Sequence, residues 1–164
     1  RLSDISDRFS KIGSKPQNED VNIHHLLAEI SDYVQARVSK RSSIEIQLNG
    51  DKNIIFKGDL TLLTWAFENI IKNAVDAIGR GTGKVIVNIS RNELEKIQID
   101  FVDSGKGIAR KNWKNIFRPG FSTKKRGWGL GLSLTHRIIN ELHYGKVWVV
   151  RSQPGETVIR ILFN

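Results

Sequence analysis

With 164 residues, 39% of them apolar, the chain has enough material for one well-buried core and too little for two. It contains no cysteine, which excludes a disulfide framework, a thiolate nucleophile and a Cys-built metal site, and fits a reducing compartment. A formal charge of +9 suits nucleic acid, a membrane surface or a polyanionic small molecule alike; no apolar run approaches the ~18–20 residues of a membrane span, and no signal-peptide pattern opens the chain.

The first residue is Arg1 rather than Met, as expected of a piece of a longer protein. Leu2, Ile5, Phe9 and Ile12 recur at spacings of three and four, the seam of a helix that packs on other helices, and Gly13 and Pro16 end it. So short a helix is marginal alone. Residues 1–13 therefore read as the end of a longer bundle helix, and SKPQNED (14–20) as a polar linker to a domain over 21–164. Residues 21–40 read as a helix with Leu26, Leu27, Ile30 and Val34 on one side. Alternation of Ile44, Ile46 and Leu48 predicts a half-buried strand over 43–48; NGD (49–51) is a hairpin-type turn, and a short strand continues over 53–57. Asp59 is placed to cap a helix that runs to Ile78 and stops at Gly79. The alternating segments 84–90 and 96–102, joined by RNELE, read as an antiparallel pair. A last helix over about 129–143 ends at Gly145, and SQPGE turns two final strands, 146–151 and 157–163. This order predicts an α/β fold, a two-layer sandwich of a mixed sheet with helices on one face.

The helix over 59–78 carries two faces. At roughly 100° per residue, Leu63, Phe67, Ile70, Ile71, Ala74 and Ile78 share one arc, the expected core face. Asn69, Asn73 and Asp76 fall at i, i+4 and i+7 as a polar line. A solvated face is one reading of that line, but such faces favour Lys and Glu over the weaker helix former Asn. The other reading is a pair of neutral carboxamide oxygens suited to a hard cation shared with phosphate. Glu68 lies off the centre of the line and reads as a surface residue.

In IDFVDSGKGIA (99–109), Asp103 stands where a strand runs into Gly105 and Gly107. The sequence suits a tight turn in which Asp bonds its own backbone. It equally suits a carboxylate at a pocket floor that accepts from an exocyclic amine, with glycines admitting a ring close to the backbone. Gly127, Gly129 and Gly131 alternate just before an apolar helix containing Leu132, Leu134, Ile138, Ile139 and Leu142, where exposed amides suit phosphate. The intervening stretch is basic, with eight Lys and Arg between Arg110 and Arg137, and includes Phe117, Pro119 and Phe121. Loops of about 20 residues inside compact domains are lids or disordered, and aromatic anchors argue for a lid.

Taken in order, ENIIKNAVDA (68–77), VDSGKGIA (102–109), IFRPGFSTK (116–124) and GWGLGLSL (127–134) resemble the N, G1, F and G2 boxes of the GHKL ATP-binding superfamily. The likeness is to the catalytic ATP-binding domain of sensor histidine kinases, in the nitrogen-regulator-like branch, and covers about residues 20–164. Each box is weak alone; four in order are specific. The resemblance implies a Bergerat-type fold that takes ATP and Mg²⁺. It implies that Asn73 coordinates the metal with support from Asn69, and that Lys124 pairs with the terminal phosphate, a solvated lid lysine being the alternative. It further implies that Asp103 binds the adenine amine, that Gly105 and Gly107 shape the base pocket and hinge the lid, and that Phe117 and Phe121 anchor the lid. Gly127, Gly129, Leu130 and Gly131 would face the phosphates. Departures from the pattern are Asp76, where many relatives carry Lys or His, Trp128 in place of a small residue, and Ala109 in place of a common proline.

The implied reaction is transfer of the γ-phosphoryl group of ATP to a histidine on a separate dimerisation and phosphotransfer domain, absent here, and onward to a response regulator. The resemblance implies a cytoplasmic domain of a homodimeric protein, tethered to a membrane or not, the fragment itself being monomeric, with the basic lid serving ATP and no nucleic acid. His24, His25, His136 and His143 read as structural or surface residues rather than as the acceptor. The alternatives are a GHKL ATPase, for which Asn69 stands where an acidic base is needed, a serine kinase of the anti-sigma type, and a non-catalytic nucleotide-binding module.

Overall fold

The computed structural model describes residues 13–38, 40, 42–121 and 131–164, so the expected helix over 2–12 lies outside the described residues. In chain order the elements are β1 (Glu19–Asn22), α1 (Ile23–Gln35), β2 (Ser43–Gly50), β3 (Ile55–Gly58), α2 (Leu60–Ile78), β4 (Thr82–Arg91), β5 (Ile97–Asp103), α3 (Gly131–His136), β6 (Lys146–Gln153) and β7 (Glu156–Phe163). A five-stranded sheet has the order β2-β4-β5-β7-β6. Its β2 edge is parallel to β4, and its other neighbours are antiparallel. Alternation buries Val85, Val87 and Ile89 of β4, Ile97, Ile99 and Phe101 of β5, and Ile159, Ile161 and Phe163 of β7. Those residues meet Leu26, Leu27 and Ile30 of α1 and the predicted arc of α2 in one core, so the expected two-layer sandwich with a mixed sheet is the fold. Ile78, the last residue of the arc, is only partly buried. No helix of the described residues is long and apolar enough to cross a membrane.

Two elements depart from the expected local reading. The helix expected over 21–40 begins at Ile23 and ends at Gln35, because Glu19–Asn22 pairs antiparallel with β3. Asn22 closes that strand and caps the helix, its Oδ1 accepting from His25 N–H at 2.9 Å. Glu19 and Asp20 of the expected linker are therefore already strand. Second, NGD does not close a hairpin: β2 pairs with β4 and β3 with β1, so the turn carries the chain from one sheet to another. Asp51 still makes the local turn, accepting from Asn53 N–H at 2.8 Å.

The last helix changes pitch, and Arg137–Leu142 is π-helical. The wider turn delivers His143 to the start of α2. There the buried Asp59 caps the helix, accepting from Leu62 N–H at 3.0 Å and, on its other oxygen, from Gln17 N–H at 2.9 Å. Asp59 N–H donates to His143 Nε2 at 3.0 Å, so His143 carries its proton on Nδ1 and donates to Ile138 O at 2.8 Å. Burial pushes the imidazole below 6.5, against the pull of the Ile138 hydrogen bond and the Asp59 charge. Protonation would set two N–H groups against each other. The folded chain therefore resists a proton that the unfolded chain accepts, and this stability is lost progressively as the pH falls below 6.5. We expect the thermal midpoint of the native protein to fall more steeply over that range than that of His143→Gln, which keeps an acceptor for Asp59 N–H without titrating. Parallel profiles would refute the assignment.

Candidate functional site

Helix α2 organises the site. With limits set by its Asp59 cap and by Gly79, sequence spacing becomes position along a surface line, and Asn69, Asn73 and Ala77 succeed one another at i, i+4 and i+8. The two outer members each hold a different segment. Asn69 Nδ2 donates to the carbonyl of Gly131, the first residue of α3, at 3.0 Å. Ala77 O accepts from Lys106 N–H at 3.0 Å. Gly105 lies so close to Ala77 that a Cβ on it would sit 2.7 Å from the Ala77 carbonyl carbon. Asn73 lies between these contacts, half-buried, and its side chain makes no hydrogen bond among the described residues. Glu68, expected as a surface residue, is half-buried, its side chain 15% exposed, and pairs with Lys72 at 2.7 Å, while Asp76 is exposed.

Asp103 ends β5 and is 5% exposed. One carboxylate oxygen accepts from Gly105 N–H at 2.9 Å, the local turn that DSG predicts. Burial raises its pKa from 3.8 to about 6, against the lowering effect of that hydrogen bond. The sheet then adds two residues that the motifs did not single out. Thr157 stands opposite Asp103 in the β5–β7 register, and Ser152 stands opposite Thr157 in the β6–β7 register. The three polar side chains form a row across adjacent strands, with Ser152 Oγ and Thr157 Oγ1 2.6 Å apart. Thr157 shares its face with Ile159, Ile161 and Phe163, and that alternation is the signal by which the sequence could have placed it inward.

The turn between β6 and β7 clasps the segment after Asp103. Gly155 N–H donates to Gly105 O at 2.9 Å, and Ile108 N–H donates to Ser152 Oγ at 2.8 Å. Gly107 has φ +85° and faces the Gln153 carbonyl carbon, which a Cβ would approach to 2.8 Å. Gly105 and Gly107 are thus held from both sides, which suits the shaping of a pocket and leaves little play for the expected hinge. Beyond them Trp113 Nε1–H donates to Ile108 O at 3.0 Å, and the Arg110 guanidinium covers the Trp113 ring at 4.3 Å. Ile116 is buried, Phe117 lies 6.0 Å from the His136 ring, and Phe117 and Phe121 pack partly buried against the core. The basic stretch is therefore anchored by aromatics as far as Phe121. Lys124, Gly127, Trp128, Gly129 and Leu130 lie outside the described residues.

No group of three His, Cys, Asp or Glu side chains among the described residues is placed to cage a metal. The oxygens that suit a hard cation are the carboxamides of Asn69 and Asn73: Asn69 is fixed through its NH₂ group, which leaves its oxygen as an acceptor, and Asn73 is unengaged among the described residues. Such a site takes its negative charge from the ligand rather than from the protein.

The sequence profile of the family described as histidine kinase-, DNA gyrase B- and HSP90-like ATPases matches residues 58–164. Sensor histidine kinase ZraS of Salmonella typhimurium is 35% identical, over 94% of this chain and 34% of that protein. The chain spans between 22% and 34% of the length of the curated relatives it matches. Full-length ShkA, solved in complex with AMPPNP, has the same fold: TM-score 0.83 at 22% identity, over 99% of this chain and 35% of that one. Histidine kinase ThkA, solved in complex with the response regulator TrrA, superposes with TM-score 0.78 at 23% identity, over 100% of this chain and 48% of that one. The chain belongs to the family of histidine kinase-, DNA gyrase B- and HSP90-like ATPases, and within it is a catalytic ATP-binding domain homologous to those of sensor histidine kinases.

Proposed function

We propose that this domain binds ATP with Mg²⁺ along the α2 line and donates the γ-phosphoryl group to a histidine on a separate helical domain of the same protein. The reading rests on one juxtaposition: Asn69 touches the start of α3, Ala77 touches the Asp103–Gly107 loop, and Asn73, its side chain unengaged among the described residues, lies between them. A nucleotide laid along that line places its base at Asp103 and its phosphates at Gly131. Asp103 accepts from the adenine amine with the oxygen that Gly105 leaves open, and Gly105 and Gly107 let the ring approach the backbone. Asn73, supported by Asn69, holds the cation; when bound, it neutralises phosphate charge. Gly127, Gly129, Leu130 and Gly131 face the phosphates, Lys124 pairs with the terminal one, and Phe117 and Phe121 anchor the lid. The protein contributes position and charge compensation rather than a covalent intermediate.

The domain division at 1–13, 14–20 and 21–164 belongs to the same proposal: the first segment ends the helical domain that carries the acceptor, and the second tethers it. The partners are that domain and a response regulator; the whole protein is a homodimer, and this piece a monomer in the cytoplasm. The relatives' names and the ShkA and ThkA complexes support this reading. Isothermal titration of ATP with and without Mg²⁺ tests it. Asn73→Ala should remove at least about tenfold of affinity in Mg²⁺, the scale of one lost charge-assisted contact, and leave the weaker metal-free binding nearly unchanged. An unaltered Mg²⁺ dependence would overturn the assignment.

A further inference from the structure

Strand β2 is an outer strand of the five-stranded sheet, with β4 on its inner side. Ser43 N–H donates to Gly81 O at 3.1 Å and Asp51 N–H to Ile89 O at 3.2 Å, so the odd-numbered residues turn their backbone groups towards β4. The N–H and carbonyl groups of Ile44, Ile46 and Leu48 consequently point outward along the edge. Such an edge is a template for another strand. Here part of it is taken. Gln35, the last residue of α1, donates through Nε2 to Ile44 O at 2.9 Å and accepts at Oε1 from Ile46 N–H at 2.8 Å. Those are the two bonds that one residue of an added parallel strand would make opposite Glu45. A side-chain carboxamide thus stands in for the backbone of a neighbouring strand.

We infer that Gln35 guards the β2 edge, and that the surface it closes is a self-complementary strand-pairing surface whose occupant is a second copy of this chain. The pattern of the edge identifies that occupant. Antiparallel pairing of β2 with β2 of a second copy, across a twofold axis at Ile46, sets Ile46 against Ile46 and Ile44 against Leu48. Each such pair exchanges N–H and carbonyl groups. Ile44, Ile46 and Leu48, which pack on the core in each copy, then line up on one face of the joined sheets. On the other face Glu45 meets Gln47 and Ser43 meets Asn49, so no like charges oppose each other. The exchange requires the Ile44 carbonyl and the Ile46 N–H, and Gln35 holds both.

The test is the mass of the whole chain by sedimentation equilibrium at rising protein concentration. Gln35→Ala should tighten dimer formation at least about a hundredfold over the native chain, since each copy frees a donor and an acceptor for the interface. Alanine is a good helix former, so α1 keeps its length. Two substitutions added to Gln35→Ala read the register. Gln47→Lys sets an ammonium against Glu45 of the second copy and should tighten the dimer further, although it adds to a chain already at +9; Gln47→Glu opposes two carboxylates and should loosen it. General charge repulsion would order these two variants the other way. Leu48→Pro, which removes an edge N–H and no bond to β4, should return the Gln35→Ala chain to the native mass. Gln35→Ala at the native mass, growth beyond the dimer, the reverse order of the Gln47 variants, or a dimer that survives Leu48→Pro overturns the inference. A merely structural role, in which Gln35 only ties α1 to β2, predicts a lower thermal midpoint with no gain in mass. Should Gln35→Ala fail to fold, Gln35→Glu decides by the same measurement, because its carboxylate cannot donate to the Ile44 carbonyl and releases the edge.

Discussion

Asp103→Asn should make the ligand-free domain more stable and weaken its binding of ATP at least about a hundredfold. The two effects share one cause. Burial raises the Asp103 carboxyl from 3.8 to about 6, so between those values the folded chain holds a proton that the unfolded chain has released. Stability from this group is present at low pH and is lost as the pH rises towards 6. Above that, the native state carries a desolvated carboxylate at a cost of about 1–3 kcal/mol. Asn is neutral and keeps an oxygen for Gly105 N–H, so at pH 7.5 the variant should melt several degrees higher. The advantage should vanish near pH 4. Asn has a single acceptor oxygen, however, and once Gly105 holds it the NH₂ group is left facing the adenine amine. Donor against donor in a buried site costs about 3 kcal/mol, or a hundredfold. A variant no more stable than the native protein at pH 7.5, or one that binds ATP within tenfold of it, would contradict this account. The His143 contribution runs the other way in pH, so the comparison must be variant against native at each pH rather than one profile read alone.

Gly107→Ala should cost about 2–4 kcal/mol of stability, measured by denaturant unfolding. A φ of +85° is a conformation that alanine adopts with strain of about 1 kcal/mol or more. Its Cβ would also come within 2.8–3.0 Å of the Gln153 and Pro154 backbone. That backbone belongs to the turn whose Gly155 bonds Gly105, so relief requires opening the clasp on the loop that follows Asp103, an overpacking cost of about 1–3 kcal/mol. Gly120→Ala supplies the control. Gly120 has φ +83° with nothing within 4 Å of a Cβ, so it should show the conformational cost alone. Equal losses at the two positions would remove the clasp from the explanation.

Much of this site was legible because it is local. Helix α2 announces its own cap, stop and core arc, and the rigid spacing of a helix sets Asn69 and Asn73 in line without help from the rest of the chain; Asp76, expected as the third member, is exposed, and Ala77 makes the contact instead. The DSG turn is likewise local, since Asp103 bonds a residue two positions on. The aromatic anchoring of the basic stretch is local too, and among the described residues Trp113, Phe117 and Phe121 fasten it to the core as far as residue 121. Strand β1 was missed because EDVN has no alternation to betray it; only pairing with β3 makes it a strand.

By itself the sequence determined the inward arc of α2 as far as Ala74, the Asp59 cap and the Gly79 stop of that helix, the alternating faces of β4 and β5, and the four ordered motifs that give the family. Alternation states a face and never a neighbour. Tertiary structure alone therefore decided that β2 runs parallel to β4 instead of turning back through NGD. It alone decided that the π-helical turn brings His143 to Asp59, and that Asp103, Thr157 and Ser152 stand in one row. Those meetings join residues far apart in the chain, and register, not spacing, sets them.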